Sequence, residues 1–171
     1  VNGHTITHVD PKAFHKDDNP SSINLNFIYF PDSITSIVGA VGTSSSPQQA
    51  VSIAITGASG SQYALRLIAC LLAQNVPVYL LVSKAAHIVI STETDMKLPA
   101  QAAKMEAFLR DHYGVDEAML RVFGKEDWMS PLASGSGAPS RMVVCPCSTG
   151  TLSAIATGAS NNLIERAADV A

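Results

Sequence analysis

From position 51 onwards, short apolar runs alternate with stretches in which apolar residues recur at helical spacing. The apolar runs predict four β-strands, at residues 51–56, 78–82, 120–123 and 142–145. The helical spacing predicts α-helices at residues 61–74, 84–91, 99–113, 148–157 and 162–171. Strands that alternate with helices predict an α/β fold: a Rossmann-like, doubly wound parallel sheet with right-handed crossovers and helices on both faces.

Two features of this pattern predict that the fold lacks its C-terminal part. The chain yields four predicted strands, whereas sheets of this class usually have about five or six. It also ends at Ala171 within a helical pattern that shows no stop signal, and it begins with Val1 rather than Met. We therefore expect a fragment whose missing strand or strands lie beyond Ala171.

Residues 1–50 follow no sustained period and are expected to form a poorly ordered N-terminal extension and linker, ahead of an α/β domain at 51–171. The apolar runs at 25–30 and 34–41 are the best candidates for order there, and both are far shorter than the roughly 20 residues that span a bilayer. The irregular spacing of the histidines in this segment favours exposed loop residues over a metal site. These histidines are His4, His8 and His15.

Composition narrows the possible partners. Hydrophobic residues make up 47% and charged residues 15% of the 171 positions, which indicates a chain that builds a packed core. With 11 Lys and Arg against 14 Asp and Glu, the net charge of -3 argues against binding to nucleic acid or to an anionic membrane. The three cysteines are Cys70, Cys145 and Cys147; their spacing fits neither a disulfide framework nor a zinc site, so we expect a reducing cytoplasm.

Three predicted loops follow strands at the carboxyl edge of the sheet, where ligands bind in open parallel sheets. The first, TGASGS at 56–61, opens a helix, and its glycines allow tight turning and close approach to a phosphate. Ser59 could bond a phosphate or a ring atom; the alternative is that Ser59 or Ser61 is the helix N-cap. The second loop, at Ser83 and Lys84, lacks the carboxylate that usually holds a ribose, which argues against NAD. Ser83 is equally consistent with a ligand contact and with an N-cap.

The third loop, CPCSTGT at 145–151, places hydroxyl groups and a glycine at a helix start. Such a cluster directly after a buried strand favours an anion or flavin site over an elaborate N-cap. Cys147 could act as a nucleophile, but a structural thiol is the favoured interpretation because no base is visible.

Three further residues could take part in the chemistry of a site, and each also has a purely structural interpretation. Trp128 lies in a Gly/Ser-rich loop at 124–141 and could stabilise a cation, although a lone Trp more often anchors a loop to the core. Glu93 could serve as an acid or base, but the sequence alone favours a solvated helix terminus. Arg166 is three residues from Asp169, so a surface ion pair is the default interpretation.

Five segments together resemble the UbiX-type flavin prenyltransferases, within the larger group of homo-oligomeric flavin-containing Cys decarboxylase-like proteins. These segments are TGASG, SKAA, STETD, FGKEDWMSPLASGSGAP and VVCPCSTGTLSAIATGASNNLIERAADVA. The likeness covers 51–171 almost continuously, and residues 1–50 have no counterpart in it.

The resemblance implies an enzyme that joins the dimethylallyl group of dimethylallyl phosphate to N5 and C6 of reduced FMN, without a metal. It implies a flavin-binding domain at 51–171, a homo-oligomer, commonly a dodecamer, with sites between subunits, and a product, prenylated FMN, that serves UbiD-type decarboxylases, including one in ubiquinone biosynthesis. The residues that it assigns to FMN are Gly57, Ala58, Ser59, Ser83, Ser148, Thr149, Gly150 and Thr151. It assigns proton transfer to Ser59 and Glu93. Those that it assigns to the prenyl phosphate are Trp128, Ser134, Gly135 and Arg166.

The resemblance leaves other functions open, and it also implies that the 171-residue chain lacks part of the family pattern. A related FMN-dependent decarboxylase of a cysteine-containing substrate would need an active His near the first helix, where this chain has Gln62 and Tyr63. A non-catalytic FMN-binding subunit is a second alternative, and an NAD-binding module a third. Because the family pattern continues past the equivalent of Ala171, we expect the 171-residue chain alone to be inactive and to aggregate through an uncovered strand.

Overall fold

The computed structural model describes residues 49–171. Its strands are β1 (Val51–Ile55), β2 (Val78–Val82), β3 (Leu120–Phe123) and β4 (Met142–Val144). Its helices are α1 (Ser61–Ala73), α2 (Lys84–Glu93), α3 (Ala102–Tyr113), α4 (Thr149–Ala156) and α5 (Leu163–Val170), and a 3-10 turn covers Pro131–Ala133. Apart from its last two positions, the predicted N-terminal extension, with its apolar runs at 25–30 and 34–41, lies outside the described residues.

The strands form one parallel sheet in the order β3-β2-β1-β4. Leu80 of β2 lies beside Ile53 of β1 and Val122 of β3, while Val143 of β4 lies on the other side of Ile53. Every residue of β1 is buried, as expected for an inner strand of a parallel sheet that is covered on both faces. The sheet confirms the predicted parallel α/β fold.

The side chains of each strand alternate between the two faces of the sheet, so both faces carry apolar side chains. Helices cover both of them. On one face, α5 and the 3-10 turn pack over Ala54, Leu81 and Phe123. On the other face, α1 packs on β1 and β2, with Ala64 and Ile68 fully buried. The doubly wound arrangement is therefore confirmed.

Most predicted ends of the elements lie within one residue of the observed ones, and two differ by more. α2 continues past the predicted end at 91 to Glu93, and only Thr94 adopts an extended backbone. α3 begins at Ala102 instead of 99, because Gln101 is still extended and Pro99 therefore precedes the helix. The longer α2 matters for function, since it makes Glu93 the last residue of a helix.

The carboxyl ends of β1, β2 and β4 lie together at one edge of the sheet. The N–H of Ser83 donates to the carbonyl of Ile55 at 3.0 Å, and the N–H of Thr56 donates to the carbonyl of Pro146 at 3.2 Å. The loops that follow the three strands thus meet at a single edge, as expected for a parallel sheet. Within residues 49–171, no helix has the length and apolar character needed to cross a membrane.

Candidate functional site at the strand ends

A buried hydroxyl links the loop after β1 to the loop after β4. Thr56, of which 1% is exposed, donates its side-chain hydrogen to the carbonyl of Pro146 at 2.5 Å. The same hydroxyl oxygen accepts the backbone N–H of Ser148 at 2.7 Å. The two loops are therefore held side by side at the carboxyl edge. This role of Thr56 is not among the predictions from the sequence, although a hydroxyl at the end of a largely apolar buried strand is a local signal for it.

The loop after β1 is held by the carboxylate of Glu93 at the end of α2. One carboxylate oxygen, Oε1, accepts the Ser59 hydroxyl at 2.6 Å. The other, Oε2, accepts the hydroxyl and the N–H of Ser61 at 2.7 Å and 2.8 Å. The N–H of Gly60 lies 3.0 Å from both oxygens. The structure therefore brings together Ser59 and Glu93, the two residues to which the resemblance assigns proton transfer.

This arrangement corrects two of the plainer interpretations. The N-cap of α1 is Gly60, with φ +103, and neither Ser59 nor Ser61 caps the helix. Glu93 is not a solvated helix terminus, because it accepts hydrogen bonds from three consecutive residues of the β1–α1 loop. The physical reason is that the first N–H groups of a helix carry partial positive charge and lack partners within the helix, so they attract a carboxylate.

The hydrogen bonds also set the charge state of Glu93. Burial by itself would raise the pKa of this carboxyl group, but the hydrogen bonds from Ser59, Ser61 and Gly60 outweigh it and hold the pKa below its usual value of 4.5. Glu93 is therefore ionised at neutral pH. An ionised carboxylate only accepts hydrogen bonds, so the hydrogen of Ser59 points to Glu93 and the lone pairs of Ser59 stay available to another group.

Two other expected residues of this edge have structural roles in the chain. A Cβ atom on Gly57 would lie 2.5 Å from the Cβ of Ala85, so glycine is required there by the close approach of the loop to α2. Ser83 is the N-cap of α2, and its hydroxyl accepts the N–H of Ala86 at 3.1 Å. The N-cap interpretation of Ser83 is thus confirmed, and its hydroxyl hydrogen can still be donated to a ligand.

The loop after β4 ends in a capped helix with an open first turn. Ser148 is the N-cap of α4; its hydroxyl accepts the N–H of Thr151 at 3.4 Å and pairs with the hydroxyl of Thr151 at 3.0 Å. Thr149 and Gly150 are exposed, and a Cβ built on Gly150 would meet none of the described residues within 4 Å, apart from its chain neighbours and the backbone of its own helix. Because N–H groups in a first turn have no partner within the helix, this end of α4 suits an anion.

The two cysteines beside this loop are poor nucleophiles. Burial raises the pKa of Cys147, and burial together with the neighbouring Cys147 raises the pKa of Cys145 to about 11. A thiol reacts as its thiolate, so a raised pKa lowers reactivity at neutral pH. These values favour structural thiols over a catalytic cysteine.

The loop between β3 and β4 is anchored by Leu132 and not by Trp128. Leu132 is fully buried and packs with Phe123 and Leu163, whereas 42% of Trp128 is exposed. The interpretation of Trp128 as the anchor to the core is therefore wrong. The physical reason is that the 3-10 turn packs against α5 and its Leu132 enters the core cluster, while the side chain of Trp128 is exposed.

Arg166 lies between this loop and the surface of α5. Its Nε donates to the carbonyl of Ala133 at 3.1 Å, which puts the guanidinium group next to the start of the Ser134–Gly135 segment. Its Nη1 pairs with Asp169 at 2.6 Å, so the ion pair expected from their spacing is confirmed. The helix that carries Arg166 also packs against α4, the helix with the exposed first turn.

A parallel α/β sheet whose strand ends present a hydroxyl-rich helix start and a carboxylate-bound loop is typical of proteins that bind a phosphate-bearing ligand at this edge. Residues 41–171 match the family model described as Flavoprotein, and the chain belongs to this family.

Named relatives narrow the likeness within the family. The chain is 60% identical to the flavin prenyltransferase UbiX of Pseudomonas aeruginosa over 121 aligned residues. The aligned region covers 71% of this chain and 58% of that protein. Among solved structures, it resembles AnUbiX (PadA1) in complex with FMN and dimethylallyl pyrophosphate, at 32% identity and a TM-score of 0.59, over 72% of this chain and 58% of that one. It also resembles a dodecameric FMN-dependent UbiX-like decarboxylase from Escherichia coli O157:H7, at 31% identity and a TM-score of 0.56, over 70% and 58% of the two chains.

These findings confirm the resemblance to UbiX-type flavin prenyltransferases that the five sequence segments indicated. The chain spans 58% of the length of the Pseudomonas aeruginosa relative. Among the described residues, no three His, Cys, Asp or Glu side chains form a group that could hold a metal ion.

Proposed function

We propose that the protein carrying this chain is a flavin prenyltransferase. It joins the dimethylallyl group of dimethylallyl phosphate to N5 and C6 of reduced FMN, giving prenylated FMN. The observation that carries the proposal is the hydrogen bond between Ser59 and Glu93 at the end of β1. The 60% identity to a relative that bears this name supports it.

The residues present fit FMN. Its phosphate is an anion, and the first turn of α4 offers N–H groups at Thr149 and Gly150, with the hydroxyls of Ser148 and Thr151 beside them. The loop of Gly57, Ala58 and Ser59, and the hydroxyl of Ser83, border the same edge of the sheet. When bound in its reduced form, the flavin supplies the nucleophilic ring positions N5 and C6.

Ser59 and Glu93 are proposed to move protons at the reacting edge of the flavin. The ring positions that form new bonds to carbon must lose protons, and a positioned acceptor speeds this step. Ser59 can accept such a proton with a lone pair while its own hydrogen passes to the ionised Glu93, 2.6 Å away. Glu93 with a lowered pKa is charged and ready to accept over the neutral range.

The prenyl phosphate is proposed to lie beside Arg166 and the Ser134–Gly135 segment, with Trp128 over the allylic carbons. The C–O bond breaks with its electron pair on the phosphate, so a cationic guanidinium group and hydroxyls favour the leaving group. The exposed indole of Trp128 presents a π face that attracts the developing allylic cation.

We also propose the wider context that the resemblance implies. The dodecameric UbiX-like neighbour supports a homo-oligomer, which we propose is a dodecamer with sites between subunits. The free thiols Cys70, Cys145 and Cys147 support a reducing cytoplasm. We assign residues 1–50 to an extension and 51–171 to the flavin-binding domain. The product, prenylated FMN, would pass to UbiD-type decarboxylases, including one in ubiquinone biosynthesis.

The test is anaerobic incubation of the protein, as it occurs in the cell, with reduced FMN and dimethylallyl phosphate. Mass spectrometry should then find FMN carrying one dimethylallyl unit, and Ser59→Ala should lower its yield. Flavin binding without this adduct would instead indicate a non-catalytic FMN-binding subunit. In a separate incubation with oxidised FMN and a cysteine-containing peptide, oxidation of the peptide with loss of carbon dioxide and reduction of the flavin would indicate the related decarboxylase.

A further inference from the structure

The first residue of α1 has a buried hydroxyl that the proposed chemistry does not yet use. Ser61 is fully buried, and it is not the N-cap of the helix that it begins. Both its hydroxyl and its backbone N–H donate to Oε2 of Glu93, at 2.7 Å and 2.8 Å. A buried hydroxyl must find a partner, and for Ser61 that partner is a charged group on another helix.

We propose that Ser61 is a positioning residue for the reaction, holding one oxygen of Glu93 so that the other oxygen faces Ser59. The proposal rests on the proposed function for its catalytic meaning. In the proposed reaction, Ser61 contacts neither substrate nor cofactor, and it acts through Glu93.

The division of contacts between the two carboxylate oxygens supports this role. Oε2 has both donors of Ser61, while Oε1 has the hydroxyl of Ser59 at 2.6 Å. The N–H of Gly60 lies 3.0 Å from each oxygen and therefore does not decide which of them faces Ser59. Two directed bonds from one rigid helix start fix the rotation of the carboxylate, whereas a single shared bond would not.

The neighbourhood of Glu93 leaves hydrogen bonding as the main control of its charge. Within residues 49–171, Glu93 takes part in no ion pair within 4 Å, and the groups that face it are neutral hydroxyls and amides. The titratable or charged residues on the two packed helices, and just after them, are Tyr63, Arg66, Cys70, Lys84, His87 and Asp95. None of these contributes to the shift in the pKa of Glu93, while the hydroxyl and the N–H of Ser61 both lower it.

The test compares Ser61→Ala with Ser91→Ala. The control makes the same chemical change at an exposed serine of α2, whose hydroxyl donates only to the carbonyl of Ile88 at 2.9 Å. Infrared titration of protein with 13C-labelled Glu gives the pKa of Glu93, and Glu93→Gln identifies its band. The pH profile of prenyl transfer is measured on the same proteins.

Ser61→Ala should raise the pKa of Glu93 and move the acid limb of the pH profile to higher pH. The ratio of transfer near pH 5 to transfer near pH 8 should be lower in Ser61→Ala than in wild type, since fewer carboxylates are ionised at the lower pH once the hydroxyl no longer donates to Glu93. The KM for dimethylallyl phosphate should stay within about twofold of wild type, because no contact with that substrate is changed. Ser91→Ala should match wild type in every measurement.

Two results would overturn the proposal: an unchanged pKa of Glu93 in Ser61→Ala, or an equal loss of activity at all pH values. The failure of the proposed function looks different. In that case wild type makes no adduct, while the infrared titration still decides whether Ser61 controls Glu93.

Discussion

The side chain of Thr56 accepts the backbone N–H of Ser148 at 2.7 Å, across 92 positions of sequence. It is buried between the loop after β1, which carries Ser59, and the loop after β4, which opens α4. The proposed contacts to the isoalloxazine ring and to the phosphate of FMN lie on these two separate loops. This hydroxyl therefore acts with the backbone N–H of Thr56, which also donates to Pro146, in setting the spacing that we propose a single flavin molecule must match.

Replacing Thr56 with Val removes this hydroxyl and keeps the shape of the side chain. The N–H of Ser148 then loses its partner, which should lower the free energy of unfolding by about 1–3 kcal/mol. The Kd for FMN should rise by roughly tenfold, because the loop after β4 keeps only the backbone bond from Thr56 to Pro146 and its start must be ordered on binding. Quenching of FMN fluorescence measures the Kd, and urea unfolding measures the stability.

The conservative variant Thr56→Ser separates the hydroxyl from the methyl group. It should bind FMN within about threefold of wild type, since it can still accept from Ser148 and donate to Pro146. If Thr56→Val binds FMN as tightly as wild type, the two loops do not depend on this link.

Glu93 should make the stability of the fold depend on pH in the acid range. Its pKa in the folded chain lies below the usual 4.5 because hydrogen bonds outweigh burial, so the folded state holds the ionised form more tightly than the unfolded state does. This contribution is fully present above about pH 5 and is lost as the pH falls through the lowered folded value. Thermal unfolding of wild type and Glu93→Gln at several pH values measures it.

The difference in Tm between the two proteins should shrink as the pH falls from about 6 through the lowered folded pKa of Glu93, because the protonated Glu93 is then uncharged, like the Gln that replaces it. A difference that stays constant over this range would mean that the charge of Glu93 adds nothing to the fold. Asp95, two residues further along the chain, provides a matched control, since Asp95→Asn changes a carboxylate that is exposed.

Local sequence patterns predicted most of the fold. The features that these patterns could not predict depend on contacts between residues that are far apart in the sequence. The strand at 78–82 is an unbroken hydrophobic run, the strand at 120–123 is apolar except for Arg121, and the structure begins and ends both strands at those positions. The helix predicted at 99–113 ends where Gly114 follows it in the sequence, and Gly114 adopts the left-handed conformation at the C-cap of α3. Each of these signals lies within a few residues of the feature that it predicts.

The candidate site depends on pairs that are far apart in sequence. Glu93 looks like an ordinary helix end, because its partner Ser59 lies 34 positions earlier. Thr56 and Pro146 are 90 positions apart, and neither has a local signal that names the other. The resemblance identified Ser59 and Glu93, but only the fold shows that Ser61 shares the same carboxylate.

The outer edge of β3 should depend on a partly buried carboxylate of α3. Glu106 accepts the N–H of Val122 at 2.7 Å and pairs with Arg110 and Arg121. Glu106→Ala leaves that N–H without a partner, so the free energy of unfolding should fall by about 1–3 kcal/mol. An open strand edge also favours pairing between chains, so aggregation on heating should increase. Urea unfolding and light scattering measure the two effects.

Glu117 is the matched control, because it pairs with the same two arginines at 3.8 Å and 3.7 Å but is 65% exposed. Glu117→Ala should change the stability by less than about 1 kcal/mol, as is usual for exposed ion pairs. Equal losses in the two variants would show that the arginine pairs, and not the strand edge, give Glu106 its importance.

Trp128 and Leu132 lie four residues apart, and replacing them should have different effects on stability and on the rate of prenyl transfer. Leu132→Ala removes a fully buried side chain from the core and should lower the free energy of unfolding by about 2–5 kcal/mol. Trp128→Ala, at a side chain that is 42% exposed, should cost little stability but slow prenyl transfer by roughly 2- to 30-fold, the range of a cation–π contact. Trp128→Phe should recover part of the rate because it keeps an aromatic face. Urea unfolding and adduct formation under anaerobic conditions decide between the roles: if Trp128→Ala unfolds as easily as Leu132→Ala, Trp128 anchors the loop after all and the cation site lies elsewhere.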